Sequence, residues 1–449
     1  MTAYSEVSTG PSGRLSLLAQ AGYGVGQIAG QVFRDVPSLL LLFFMTNVLG
    51  IMPALAGAAI FIPKLVWGVG CDTLVGILSD RWKHRFARRR WLLVGAVGTP
   101  IALILLFHVP DLPVTGRVIY VALAFSLYMA VFACFSVPYL AISGELSSDP
   151  HQRTVLMAWR LVFTAIGILV GGALSPYIVQ SQGGGQPAYE AMSHFLAVVC
   201  PVALVLAYFG IGRAARQRAE AVTAPVVAHV RLSAGEVIST LLAPRFSILL
   251  LANLLQLAGS GMAYASMLYF LTYNMARTDA FQLIGGLVLI ACAAIVVAQP
   301  LWVALARRVG KKPIYVLSAA GYGLSYLAWS LSADAGVVAA YAFSFVAAVV
   351  NSGWTLLGFS IMSDIAGEDQ AHAGLYSAAW IAADKIGFAL GGTLLVGFVL
   401  SAFGFDAAHA VAGLPQTASA LTGVMLAFGV IPAALNILSA LIYWRFGRA

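Results

Sequence analysis

The chain is divided into twelve strongly apolar blocks, at 19–48, 54–79, 92–109, 117–144, 155–180, 191–212, 245–275, 282–305, 314–332, 336–363, 373–402 and 419–444, with short charged breaks between them. A hydrocarbon layer about 30 Å thick is crossed by ~20 helical residues. In lipid every backbone N–H and C=O needs a partner within the protein, so each block predicts a spanning helix. The pattern is unlike the ten-residue alternation of a lipid-facing β-barrel. Composition agrees: 61% of the 449 residues are hydrophobic and 9% are charged, against roughly 25% charged in a soluble domain. A soluble enzyme is excluded, and the expected fold class is an all-α integral membrane protein with twelve transmembrane helices. Cys71, Cys134, Cys200 and Cys292 lie unpaired inside apolar blocks, which points to packing rather than to disulfides or a metal site. The N-terminus carries no cleavable signal pattern, so the first block is expected to stay as a helix. The lack of an Asn-x-Ser/Thr sequon favours a bacterial inner membrane.

Basic residues set the expected orientation. Of the 25 lysines and arginines, Arg34, Lys64, Arg160 and Lys385 fall inside blocks, and Arg117 and Arg277 fall at a block edge or in a turn on one side. The other nineteen fall in turns, tails or at block edges on the opposite side. The positive-inside rule then places both termini in the cytoplasm. The net charge of +8 reads as attraction to an anionic leaflet, with no nucleic-acid partner implied. A polar stretch at 213–231 separates two sets of six blocks, giving an expected N-terminal bundle at 1–212, a linker at 213–244 and a C-terminal bundle at 245–449. The break after the second block, with Asp80, Arg81, Arg88, Arg89 and Arg90, is echoed after the eighth by Arg307, Arg308, Lys311 and Lys312. Six-plus-six topology with a repeated basic turn predicts two pseudo-symmetric bundles around a central site, the architecture of alternating-access carriers.

Charges inside the blocks need a reason, since each costs on the order of 2.5–3.5 kcal/mol at the bilayer centre. Arg34 and Asp35 lie in block one, Lys64 and Asp72 in block two, Arg160 in block five, and Asp384 and Lys385 in block eleven. Four cations and three anions nearly balance, which suggests a shared cavity. Helical spacing supports it: Gln27, Gln31, Arg34 and Ser38 make one polar stripe with Asp35 at its edge, and Lys64, Gly68 and Asp72 make another. Asn253, Gln256, Ser260 and Tyr264 form a third, and Asn351, Trp354 and Thr355 mark the tenth block. Arg34 could equally serve only to neutralise Asp35.

These motifs resemble the glycoside-pentoside-hexuronide:cation symporter family of the major facilitator superfamily, which contains the melibiose carrier and, more distantly, lysolipid carriers. The resemblance rests on Tyr23-Gly24-Val25-Gly26, on Asp72-x-x-x-Gly76-x-x-Ser79-Asp80-Arg81 with Arg88-Arg89-Arg90-Trp91, and on Val137-Pro138-Tyr139 followed by Glu145. It continues through Arg153-Thr154, Arg160, Tyr269-Phe270-x-x-Tyr273, Trp354 ten residues before Asp364, and Gly374 eleven before Lys385. It implies the major facilitator fold and a cation-coupled carrier. It also implies a cation site of two acids one turn apart on span two, helped by an acid on span four. Here Asp72 matches, while Gly68 and Ser136 stand at the other two positions. The family's sugar-binding pair on span one falls at Gly30 and Gln31, and its sugar-stacking tryptophan on span four falls at Leu140. Arg160, Trp354 and Lys385 do match.

The expected function is secondary active transport, a cation-coupled symport of a sugar-like or anionic organic solute such as a glycoside or uronide. The alternative is a lysolipid or other amphiphile carrier, and from another class a non-transporting receptor. Neither an ATP-cradling loop nor a nucleophile motif is present, so enzyme activity is not expected. Expected substrate-binding residues are Gln31, Arg34, Arg160, Trp354, Asp384 and Lys385; expected cation-coupling residues are Asp72, Asp35 and Ser136. Asp80, Arg81 and Arg88 to Arg90 are expected to form a conformational latch. No cofactor is expected. A single carboxylate in a low-dielectric cavity is a natural proton carrier, because burial favours its neutral form and a nearby ammonium its charged form. A proton at Asp72 is therefore favoured, with a sodium ion there as the alternative. The expected partners are the solute and the lipid bilayer, with the chain acting as a monomer.

Overall fold

The computed structural model describes residues 15–82, 85–146, 150–212, 234–369 and 372–447. Among the described residues twelve long helices make up the fold. They are α1 (Leu17–Asn47), α2 (Pro53–Trp82), α3 (Arg88–Phe107), α4 (Val114–Ser143), α5 (Val155–Ser181), α6 (Gln186–Gly210), α7 (Pro244–Asn274), α8 (Ala280–Val309), α9 (Lys311–Ser330), α10 (Ala333–Glu368), α11 (Ala373–Ala402) and α12 (Ala418–Phe446). Eleven are long and apolar enough to cross a membrane. α9 is less apolar, because Lys311, Lys312, three serines and three tyrosines interrupt its 20 residues. Most of the linker expected at 213–244 lies outside the described residues, as do Arg14, Lys83 and the side chains of Glu145, Arg153 and Thr154. A short helix, Ala234–Leu241, precedes α7.

Local sequence explains the breaks. Ser16 caps α1 by accepting from the Ala19 N–H at 3.3 Å. Pro244 opens α7 in the first turn, where a missing N–H has no helical partner to lose. Gly310 turns the chain between α8 and α9 at φ 97°, a conformation that disfavours side chains.

α1 packs against α5 and α6, α2 against α4, and α3 against α4 and α6; α7 packs against α11 and α12, α8 against α10, and α9 against α10 and α12. These are the same partnerships in the two sets of six, which makes two like bundles. α1 and α7 are the most enclosed helices, 83% and 67% buried over their most apolar stretches, so their polar stripes face protein or cavity instead of lipid.

The ends of the molecule differ. One end gathers Leu15, Gly447 and the basic turns; it is called the basic face, and the opposite end the far face. At the far face the bundles touch closely. A Cβ on Gly57 of α2 would sit 2.4 Å from the Thr393 carbonyl oxygen of α11, and one on Gly397 would sit 2.4 Å from that of Pro53. Five single π-helical turns, Pro37–Leu41, Val170–Leu174, Phe270–Asn274, Leu390–Leu395 and Leu426–Val430, interrupt α1, α5, α7, α11 and α12, all in the half nearer the far face. Such widened turns redirect a helix without a proline. The sequence pattern gave no notice of them.

Candidate functional site: a charged cavity between the bundles

The charged residues inside the helices gather where the bundles meet. Lys385 of α11 forms an ion pair with Asp72 of α2, the two side chains being 30% and 22% exposed. Arg34 of α1 reaches Asp384 of α11, Nη2 to Oδ2 3.9 Å. Both pairs cross from one bundle to the other. On an otherwise enclosed helix the Arg34 side chain is 52% exposed, so it borders open space.

The partner of Arg34 is thus not only its neighbour. Asp35 is 8% exposed and accepts a 2.8 Å hydrogen bond from Gln31 Nε2, one turn back on α1. Lys64 makes no ion pair among the described residues; its ammonium lies 5.9 Å from the centre of the Phe388 ring, and the Arg34 guanidinium lies at the same distance from that ring. One aromatic ring of α11 therefore meets two cations from the other bundle. Pro63, just before Lys64, removes a backbone donor from α2 at this level.

Arg160 is placed apart. Its Nε donates to Gln27 Oε1 at 2.8 Å, and its guanidinium lies 6.0 Å from the ring of Tyr139, whose hydroxyl donates to the Tyr23 carbonyl at 2.5 Å. It joins the α1 stripe at Gln27, in the half nearer the basic face, and among the described residues has no hydrogen bond or ion pair with Asp72 or Lys385. Trp354 is 4% exposed with no hydrogen-bond partner at Nε1. Ser136 is half-buried and makes no hydrogen bond to Asp72 among the described residues. At the basic face Arg88 pairs with Asp80, and Arg89 Nη1 donates to the Gly212 carbonyl at 3.2 Å, tying the 2–3 turn to the end of α6. Arg81 is exposed there. The other bundle has its own pairs, Lys311 with Asp364 and Arg245 with Glu368 at 2.5 Å.

The far face is held by uncharged groups that the sequence reading left without a role. Thr46 and Tyr269 share a hydroxyl–hydroxyl bond of 2.6 Å, the Tyr273 hydroxyl donates to Asn47, and the Ala54 N–H donates to Ser401 at 2.8 Å. Phe43 stands edge-on to Tyr269 and Phe281, with ring centres 5.0 and 5.4 Å apart. Among the described residues every hydrogen bond or ion pair between bundles lies at the charged cavity or beyond it toward the far face. Among the described residues the bundles are joined by hydrogen bonds at the far face, and none joins them at the basic one.

Two six-helix bundles, joined at one end over a charged central cavity, define a secondary carrier of the alternating-access kind. The chain belongs to the family described as MFS/sugar transport protein, whose profile matches residues 22–447. It is 26% identical to the inner membrane symporter YicJ of Escherichia coli, over 96% of this chain and 92% of that protein. It is 24% identical to the putative glycoside/cation symporter YagG of the same organism, over 94% of this chain and 90% of the relative. In fold it resembles a bacterial homologue of the lysosomal transporter Spinster, solved in an inward-facing, unoccupied conformation, with a TM-score of 0.68 at 15% identity over 98% of this chain and all of that one. The chain is a multi-pass membrane transporter and not an enzyme.

Proposed function

We propose that this carrier couples the movement of a sugar-like or anionic organic solute, a glycoside or uronide, to the proton gradient through Asp72. The observation that carries the reading is the Asp72–Lys385 pair, which joins the two moving bodies at the cavity. Protonating Asp72 removes its attraction for Lys385 and leaves the cavity more positive. The freed ammonium and Arg34 can then meet an anionic or hydroxyl-rich solute, so that solute and proton stabilise the same state. Asp35, held by Gln31, is the second proton candidate, and Gln31, Arg160, Trp354 and Asp384 are solute contacts. Sodium wants several oxygen ligands, and with Gly68 and Ser136 at the other family positions Asp72 is the one carboxylate offered there.

On this reading the bundles are 1–212 and 245–449, joined by a linker at 213–244. The basic face is cytoplasmic in a bacterial inner membrane, so the cavity is inward-open, and the chain works as a monomer. The likeness to symporters named for glycosides and cations supports the substrate class. The test is uptake into proteoliposomes across glycosides, uronates and lysolipids, under an imposed pH gradient with no sodium. Uptake of a glycoside or uronate driven by the pH gradient is expected. A strict sodium requirement overturns the coupling, and uptake of lysolipids alone overturns the substrate class.

A further inference from the structure

On the outer flank of the first bundle, away from the central cavity, a groove of about 620 Å³ runs between α3 and α6. Leu93, Val94, Val97 and Gly98 of α3 and Tyr208 of α6 line it, and Arg90 stands at its end beside Phe86. Val94 and Val97 are 43% and 68% exposed, which places the groove against lipid. From Arg90 to Gly98 α3 rises ~12 Å, several methylene lengths of an acyl chain.

The mouth of the groove is basic in a particular way. The Arg90 guanidinium lies 5.9 Å from the centre of the Phe86 ring, and that of Arg89 lies 5.1 Å from the ring of Tyr208. Arg88 is the member of the run committed to a carboxylate, Asp80; among the described residues Arg89 and Arg90 have no acidic partner. Two guanidiniums held against aromatic faces at the end of an apolar slot offer a phosphodiester both charge and fork-shaped donors, while the slot accepts the chain attached to it.

We propose that this groove is a binding site for one anionic glycerophospholipid of the leaflet at the basic face, with its phosphate at Arg89 and Arg90 and an acyl chain along Leu93 to Gly98. The site is separate from the transport cavity and does not depend on which solute the carrier moves.

The test is native mass spectrometry of the full chain in mild detergent, titrated with phosphatidylglycerol and phosphatidylcholine of matched chains. The wild type should retain phosphatidylglycerol about thirtyfold better, as roughly 1 kcal/mol for each of the two engaged arginines requires. Arg90→Gln should lower the ratio about fivefold, and Arg90→Lys should restore part of it. Val94→Trp, which fills the slot, should weaken retention of both lipids. Inorganic phosphate and glycerol phosphate should displace neither. Because the two lipids are compared on one preparation, a misfolded Arg90 variant shows as loss of both, and the Arg90→Lys ratio then decides; Val94→Trp is read on protein whose melting temperature matches the wild type. Equal retention of the two lipids by the wild type overturns the proposal. So does an unchanged preference in Arg90→Gln, unchanged retention in Val94→Trp, or displacement by free phosphate.

Discussion

The two ends of this carrier are held by different chemistry. At the far face the bundles are joined to each other, and the joints are neutral: hydroxyl and amide hydrogen bonds at Thr46, Asn47, Tyr269, Tyr273 and Ser401, with aromatic edges around them. At the basic face the ion pairs stay inside a bundle: Asp80 with Arg88 in the first, Lys311 with Asp364 and Arg245 with Glu368 in the second. A neutral hydrogen bond contributes about 0.5–1.5 kcal/mol net and finds a substitute in water when it opens. The basic-face pairs are largely exposed and each contributes within about 1 kcal/mol, but none of them crosses from one bundle to the other. The gate at the far face is thus made of neutral joints, and the ion pairs brace bundles that move as one body. The cavity between them is the exception, where Asp72–Lys385 and Arg34–Asp384 are ionic and cross the interface. Those are the links that a proton or a charged solute can exchange.

The largest effect expected follows from that exception. Asp72→Asn leaves Lys385 buried without its counter-charge, a loss of roughly 3–5 kcal/mol where one partner of a buried pair is removed. Partial exposure of both side chains lowers that figure. Proton-driven uptake should fall by about a hundredfold or more, while Asp72→Asn/Lys385→Gln should recover expression and thermal stability without coupling. Normal pH-driven uptake in Asp72→Asn would show that the cross-bundle pair is structural only.

Second in size is steric closure of the far face. Gly397→Leu puts side-chain atoms where a Cβ already lies 2.4 Å from the Pro53 carbonyl. Overpacking of this kind costs about 1–3 kcal/mol, enough to shift the gate toward open by about fivefold to a hundredfold. Spin-label distances between α2 and α11 at the far face report it. Unchanged distances would mean that the bundles can close without that approach.

A single neutral joint should matter less. Tyr273→Phe removes the donor to Asn47, and a loss of about 1 kcal/mol shifts the same distance distribution about fivefold toward open. If instead it acts as strongly as Gly397→Leu, the neutral joints are not individually weak and the contrast between the two ends fails.

Much of this arrangement was legible in the sequence, and the remainder has a physical pattern. The block at 373–402 coincides with α11, and that at 245–275 differs from α7 by one residue at each end, because span length and apolarity are local properties. The seven intramembrane charges were also legible, since each is conspicuous against apolar neighbours. Their pairing was not. Arg34 is adjacent to Asp35 in sequence but turns to Asp384, while Asp35 is taken by Gln31, and spacing along one helix carries no information on a partner some 350 residues away. The π turns escaped for a related reason: they contain ordinary residues such as Val170-Gly171-Gly172 and Phe270-Leu271-Thr272, and only packing against the other helices selects them. Tyr269 and Tyr273 were visible as part of a motif, but their task at the gate depends on Thr46 and Asn47 across the interface.

Smaller effects should come from the basic face. Asp80→Asn weakens the pair with Arg88, and for the exposed end of such a pair the loss is within about 1 kcal/mol. We expect intact insertion and a shift of no more than about fivefold in the balance of inward- and outward-open states, read by the same spin labels. No shift, with unchanged transport, would reduce the turn to a topology anchor.

The smallest effect expected lies at the far face, on Asp406. It caps the short helix Ala407–Val411, which packs on the last turns of α1 beside the Thr46 and Asn47 joints. Its Oδ1 accepts from the backbone N–H groups of Ala408 at 2.8 Å and His409 at 3.2 Å. The hydrogen bond from the His409 N–H is the largest of the causes that hold this carboxyl below the usual aspartate range, and that from Ala408 adds to it. A carboxylate whose folded-state pKa is depressed contributes stability above its unfolded value and loses that contribution as pH falls through the folded one. Acidification below about pH 4, the ordinary aspartate range, should therefore loosen the cap and let the far face open slightly more often. Asp406→Ala should show the same loosening at neutral pH and lose the acid dependence. Hydrogen exchange at the Ala408 and His409 amides, corrected for intrinsic rate, measures it. Equal protection in wild type and variant at both pH values would show that the cap has no part in holding α1, and would leave the far-face gate to its neutral joints alone.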